Sequence, residues 1–491
     1  MTAAVSAAAD RFDTRQRLIL VLLCGTQFML ALDFSILSVS LPVIGSDLKL
    51  PTSDLQWVVT AFALPSGGFL LLFGRAADMF GRRRLFLIGM TLFTVASLVG
   101  GIAPSAGWLF AARAGQGFGA AILTPAAMSL LTTSFEEGPR RNRALAVNGS
   151  LLSLGFLTGV VLGGVITDAL GWRFTLLINL PLGVLALIGT VALIAESRQP
   201  QAPRLDLPGA VTVTGGLLGI VYGVTAAERN GWTSPTSFVP LIGGVVLLGA
   251  FLLIESRRRD PLIDLRVLRR RTVGWGNLTG LVTFSMVTGV VFLLTLYMQQ
   301  VRGLTPFNTG LCFASLGVAA VLGGVVAPRI LAKLGVSGTL ITGLSLQAAG
   351  TLALVFLRTT DGIPLLLVAT AVIGFGHLLS VVAYMITVTS GLPDEEQGLA
   401  TGTAYTAQQV GLSIGTPIIS SIAVARMDSL RATQAVPEAL LGGVHLGVIV
   451  AGLVAVAAAL VAVVFLRRPA EPATGLQDVV TTPAAGSATV S

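Results

Sequence analysis

Charge is what this sequence has least of. Asp, Glu, Lys and Arg make up 11% of its 491 residues, where an ordinary soluble chain carries about a quarter. A surface that does not face water must stand in for the missing charge, and lipid is the simplest such surface. Cysteine is scarce as well. Cys24 and Cys312 are the only two, both inside apolar runs, so no disulfide framework is expected. Two histidines are too few for a His-rich metal site. No G-x-x-x-x-G-K-[ST] stretch occurs, which excludes an ATP-hydrolysing P-loop, and neither H-E-x-x-H nor zinc-type cysteine spacing is present. Energy for any work must then come from an ion gradient or a substrate gradient, with no cofactor and no metal. No loop is long enough to fold alone, and no catalytic cluster of His, Ser or acid residues stands at membrane depth. The chain is therefore not read as an enzyme or a receptor-like sensor.

What the sequence has is apolar length. Hydrophobic residues make up 54%, and glycine, at 58 residues, suits close helix packing in membranes. A spanning helix needs about 20 mainly apolar residues, and fourteen such runs can be marked out. Six lie in 18–195, two in the segment 196–272, and six in 273–466. The expected architecture is all-α and integral to the membrane: two six-helix bundles with two inserted helices between them. Residues 1–17 form a short N-terminal segment. The Ala-, Thr-, Pro- and Gly-rich tail 467–491 reads as disordered. The first run is too long for a signal peptide and lacks a clean cleavage site, so it is read as a retained helix.

The basic residues set orientation. With the N-terminus in the cytoplasm, 23 of the 31 Lys and Arg fall in cytoplasmic segments and seven in outer loops, and Arg113 alone lies inside a run. Both termini are then cytoplasmic, in an inner or plasma membrane. The net charge of +8 is spread through short loops rather than gathered in a patch, so nucleic acid is not an expected partner. The chain also reads as a duplication. The loop Gly74–Gly81 returns about 254 residues later as Pro328–Gly335, keeping its first Arg (Arg75, Arg329) and last Gly (Gly81, Gly335).

Four stretches carry chemistry. The first run contains Leu32-Asp33-Phe34-Ser35, a carboxylate inside a spanning helix. Such a group is expensive in lipid and marks function by default, although a structural carboxylate bonded to a neighbouring helix has the same signature. Sixteen residues separate it from Arg17, about 24 Å of helix, so it belongs in the outer half of the bilayer. The second stretch is the loop Gly74–Arg84, where Gly74, Asp78 and Gly81 suit a tight turn among Arg75 and Arg82–Arg84; an ordinary basic loop is the alternative. The third is Leu109–Gly119. Its Arg113 keeps its charge and comes out at a depth similar to Asp33, needing a partner, a wet cavity, or an outward snorkel. The fourth is Gly155–Gly164. Gly155, Gly159 and Gly163 share one helix face, with Gly164 beside them, a pattern that serves close packing or gating alike. Gln116, Asn148, His377 and Gln408 are polar groups that either line a cavity or bond other helices.

With these four stretches in order, the chain resembles the fourteen-helix drug:proton antiporters of the major facilitator superfamily, most strongly over its first 195 residues. The resemblance implies two six-helix bundles facing a central cavity, with the first and fourth helices lining it. It implies a cytoplasmic latch at Gly74, Arg75, Asp78, Gly81 and Arg82, and an antiporter-motif helix at Gly155, Gly159, Gly163 and Gly164. The proline usual in that motif is Val160 here. The implied function is proton-coupled export of amphipathic small molecules, drugs or antibiotics, by alternating access, with the lipid bilayer and protons as the other partners and a monomeric chain. Asp33 and Arg113 are the residues expected to couple proton entry to release. Export of an endogenous metabolite, peptide or siderophore is the alternative with the same motifs.

Overall fold

The computed structural model describes residues 12–135, 139–196, 207–258, 265–392 and 394–466, and among these every regular element is a helix. That is the expected outcome of apolar runs whose backbone groups must bond within their own segment. The N-terminal half comprises α1 (Thr14–Asp47), α2 (Thr52–Gly68), α3 (Leu70–Phe80), α4 (Arg82–Gly101), α5 (Ala106–Ser134), α6 (Pro139–Ala169), α7 (Arg173–Leu177) and α8 (Asn179–Leu193). Two helices follow, α9 (Leu207–Asn230) and α10 (Pro235–Arg257), then the short α11 (Leu265–Arg269). The C-terminal half holds α12 (Arg271–Leu296), α13 (Pro306–Ala353), α14 (Ile363–Thr389), α15 (Asp394–Arg431) and α16 (Val436–Val461). The tail 467–491 and residues 1–11 fall outside the described residues.

Local chemistry sets the boundaries. α1 opens on a capping box: the Asp13 carboxylate accepts from the Gln16 amide, and the Gln16 side chain accepts from the Asp13 amide. α3 ends and α4 begins at Gly81, whose φ of 107° suits glycine. Inside α13, Gly335 holds φ 68° and ψ 179°, which breaks helical geometry between 306–334 and 336–353. The two glycines shared by the duplicated loops therefore do the same backbone work.

Among the described residues, twelve helices are long and apolar enough to cross a membrane. The apolar runs predict fourteen, and the difference has two local causes. The second run is divided at Phe69 into the 17-residue α2 and the 11-residue α3. The tenth and eleventh runs are joined in the 48-residue α13 across Gly335. Large apolar side chains stand exposed along several helices, among them Leu185, Ile188 and Val191 on α8 and Ile242, Val245 and Val246 on α10. Rows of this kind belong against lipid rather than water.

The two halves are built alike. In the first, α6 packs along α1, and a methyl added at Gly155, Gly159 or Gly163 would strike the carbonyl of Phe28, Leu32 or Ile36. In the second, α15 packs along α12, with Gly411 and Gly415 against the carbonyls of Leu281 and Ser285. The backbones meet where side chains are smallest, which maximises van der Waals contact where lipid offers no hydrophobic drive. α9 leans on both halves, against α2 and α15. Leu218 of α9 abuts Gly68, and Tyr222 lies 6.2 Å from Trp57.

Candidate functional site

A small pocket lies between the halves. Phe34, Ser38 and Leu41 of α1, Val59 of α2 and Phe156 of α6 form one wall. Thr288, Val291 and Phe292 of α12 and Thr416 of α15 form the other. The lining is aromatic and aliphatic with three hydroxyls and no charge. Contacts between the halves lie on both sides of it. Toward the Pro306 end, Gly164 of α6 lies against Pro306 and Gly310 of α13, Gln299 donates to the Val39 carbonyl at 2.7 Å, and Ser420 bonds Gln56 at 2.5 Å. Toward the opposite end, the Tyr405 and Asn148 side chains hydrogen-bond. Between these, the Ser413 hydroxyl donates to the Ala63 carbonyl at 2.9 Å.

One layer behind the first wall lies a buried ion pair. Arg113 on α5 and Asp33 on α1 meet at 2.7 Å, both fully buried. Asp33 Oδ1 also accepts from Gln116 Nε2 at 3.0 Å and from the Asn179 amide. Arg113 Nε donates to the Val58 carbonyl at 3.0 Å, and Nη1 also donates to Gln116 Oε1 at 2.8 Å. Gln116 Nε2 reaches Ser97 Oγ at 2.7 Å. Five helices thus contribute to one network. Arg113 Nη2 and Asn179 Oδ1 have no partner among the described residues. The guanidinium lies 4.5 Å from the centre of the Phe62 ring, a favourable cation–π placement. Phe62 in turn sits 5.9 Å from Phe34, which faces the cavity. Two aromatic rings therefore separate the charges from the cavity.

This geometry fits what an intramembrane pair needs. An isolated ion in low dielectric is prohibitively costly, and a pair persists only when its remaining donors and acceptors are largely satisfied. Removing either charge would leave the other uncompensated in the interior.

The other sequence candidates fall in separate places. Gly74, Arg75 and Asp78 lie on α3, with Gly74 beside Pro125 of α5; the Asp78 side chain lies outside the described set. Arg82 starts α4 and is buried. This segment has a partner that no sequence pattern announces, Glu196, just past α8. Its carboxylate accepts from the Arg83 amide at 3.2 Å and lies 3.7 Å from Arg84, a favourable place for an anion at a helix start. α6 runs unbroken through Val160, which is buried. Gln116 belongs to the ion-pair network. Asn148 meets Tyr405, Gln408 is buried on α15, and His377 stands edge-on to Phe284 at 5.3 Å. The cavity wall itself is made by other residues.

Comparison with known proteins now bears on this arrangement. The family model of the Major Facilitator Superfamily matches residues 23–416. The chain belongs to that superfamily. It is 39% identical over 409 residues to the cephamycin export protein CmcT of Amycolatopsis lactamdurans, covering 82% of this chain and 84% of that one. It is 38% identical over 423 residues to the puromycin resistance protein pur8 of Streptomyces alboniger, covering 85% and 84%. The multidrug resistance protein Stp of Mycobacterium tuberculosis is 31% identical over 414 residues, covering 84% and 77%. Among solved structures, a POT family transporter with a thioalcohol-conjugated peptide aligns with a TM-score of 0.68 at 14% identity, over 91% of this chain and 96% of that one. A point mutant of the nucleoside transporter NupG aligns at 0.63 and 12% identity, over 92% and 100%. At these identities the structural matches speak for the superfamily fold alone.

Proposed function

We propose that this protein is a proton-coupled exporter of small amphipathic molecules, of the antibiotic and multidrug efflux kind, working by alternating access. The observation that carries the reading is the Asp33–Arg113 pair, buried behind Phe62 and Phe34 from the cavity between the halves. Its relatives named for cephamycin export, puromycin resistance and multidrug resistance support the cargo class. Asp33 takes a proton, the ion pair loosens, and α1 and α5 shift relative to the C-terminal half. Release of the proton on the other side restores the pair. The lining has hydroxyls but no charge, so cargo is held by apolar contact and a few hydrogen bonds, and coupling acts through the helices instead of direct contact with Asp33.

In this reading the chain crosses the membrane fourteen times. Support comes from α2 and α3 together forming one crossing, and from Gly335 turning α13 into two. Both termini then lie on the cytoplasmic side with most of the arginines. The protein acts as a monomer, uses the proton gradient in place of a cofactor, and catalyses no covalent chemistry.

The test is puromycin accumulation in everted membrane vesicles energised by respiration. Accumulation above that of empty-vector vesicles, abolished by a proton uncoupler, is the expected result. Uncoupler-insensitive accumulation would refute the coupling.

A further inference from the structure

Four polar side chains of the C-terminal half end in the interior without a hydrogen-bond partner among the described residues. They are Thr283 on α12, Gln347 on the 336–353 segment of α13, and His377 and Ser380 on α14. All four are buried. The unpartnered atoms are Thr283 Oγ1, both Oε1 and Nε2 of Gln347, His377 Nδ1 and Ser380 Oγ.

Helix packing brings them to one level. The 336–353 segment and α14 run antiparallel, with Gly343 against Ser380 and Gly376 against the backbone nitrogen of Gln347. His377 follows Gly376 and meets Phe284 of α12. Thr351 lies one turn beyond Gln347 on the same face and reaches Met286 Sδ of α12 at 3.9 Å. Gln347 therefore faces α12 about one turn lower, at the level of Thr283. Thr288, one turn along α12 from Phe284, lines the central cavity.

Buried polar atoms in native proteins are nearly always paired, with protein or with ordered water. This set is neutral and mixes donors with acceptors, which fits water and a proton better than a metal ion or an anion. An imidazole buried alone resists charging. One with an amide oxygen and two hydroxyls at the same level, reached through water, has acceptors for its N–H groups. Among the described residues no charged side chain stands beside the ring. α12 and α14 carry no acid or base near it except Tyr384, whose hydroxyl donates to the Ala404 carbonyl at 2.6 Å. Arg329 and Lys333 lie toward the Gly335 end of α13, and Tyr405 of α15 bonds Asn148.

We propose that Thr283, Gln347, His377 and Ser380 form a second, hydrated proton-binding site in the C-terminal half, with His377 as the group that takes the proton. A hydronium in the site gives up its proton to the free ring nitrogen. The new N–H bond leaves an imidazolium and a water, both held by the surrounding oxygens. The site stands on its own geometry and does not require that Asp33 drive transport.

The chain's two histidines make a direct test practical. Full-length protein carrying ¹⁵N-histidine is placed in lipid nanodiscs, and His445→Gln assigns the other signal. Lowering the pH from about 8 to about 3 is expected to convert the His377 ring from neutral to imidazolium shifts. Gln347→Leu is expected to lower the midpoint by about one pH unit, with the isosteric Thr283→Val moving it the same way by less. Asp33→Asn is expected to leave the midpoint in place. A wild-type ring that stays neutral throughout overturns the proposal, and so does a midpoint identical in wild type and both cluster variants.

Discussion

The two halves share an architecture and differ in charge. A methyl on Gly119 of α5 would meet the backbone of Gly89 and Phe93, and one on Gly376 of α14 would meet Gly343 and Gln347. The α6–α1 and α15–α12 glycine contacts repeat in the same way. In that register Asp33 corresponds to Met286, Ser97 to Thr351, Arg113 to Thr370 and Gln116 to Ile373. The N-terminal set makes a charged, interlocked network. The C-terminal set makes a weak Thr351–Met286 contact and a Thr370–Ser315 hydroxyl pair at 2.7 Å. The same scaffold thus holds with or without an ion pair at these positions. The pair is not needed to build a half, which argues that it is kept for something other than stability.

Exchanging one half's chemistry for the other's gives the largest expected effect. Arg113→Thr alone leaves Asp33 buried and uncompensated, and should cost about 3–5 kcal/mol, read as a large drop in thermal stability in detergent. Adding Asp33→Met reproduces the C-terminal pattern and should recover most of that stability without recovering proton-driven export. If the double variant stays as unstable as the single one, the halves are not equivalent scaffolds.

The glycine contacts offer a smaller, symmetric test. Gly159→Ala and Gly415→Ala each push a methyl onto a neighbouring backbone and should cost about 1–3 kcal/mol. Gly243→Ala on α10, with open space around it, should be close to neutral in the same thermal assay. Unequal costs at 159 and 415 would show that one helix pair yields more than the other.

Gly81→Ala and Gly335→Ala both place a side chain at positive φ, at about 1–2 kcal/mol each. Gly81 should be the worse of the two, because its methyl would also meet the Glu196 carboxylate. Glu196→Gln should change stability by less than about 1 kcal/mol, read as a small shift in the same melting curve.

Much of this was legible in the sequence, and the limits have physical causes. Asp33 and Arg113 stand out because charge inside apolar runs is rare, and similar depths bring them together on paper. Ser97 and Asn179 do not join them there, because helical periodicity says which residues share a face but not which helix that face meets. The stripe Gly155, Gly159, Gly163 is readable as a packing surface, and its partner α1 is not. Crossings are readable from apolar length, while the interruption at Phe69 depends on local backbone geometry. The cavity wall is the least legible part. Ser38, Thr288 and Thr416 are ordinary residues of apolar helices until the two halves are brought together.

The central claim is that the proton acts through Asp33, and counterflow tests it most directly. In proteoliposomes preloaded with puromycin, Asp33→Asn should still exchange labelled for unlabelled cargo at a rate near wild type, while uphill transport driven by an imposed pH gradient is lost. A variant that keeps gradient-driven accumulation at the wild-type level would contradict the account.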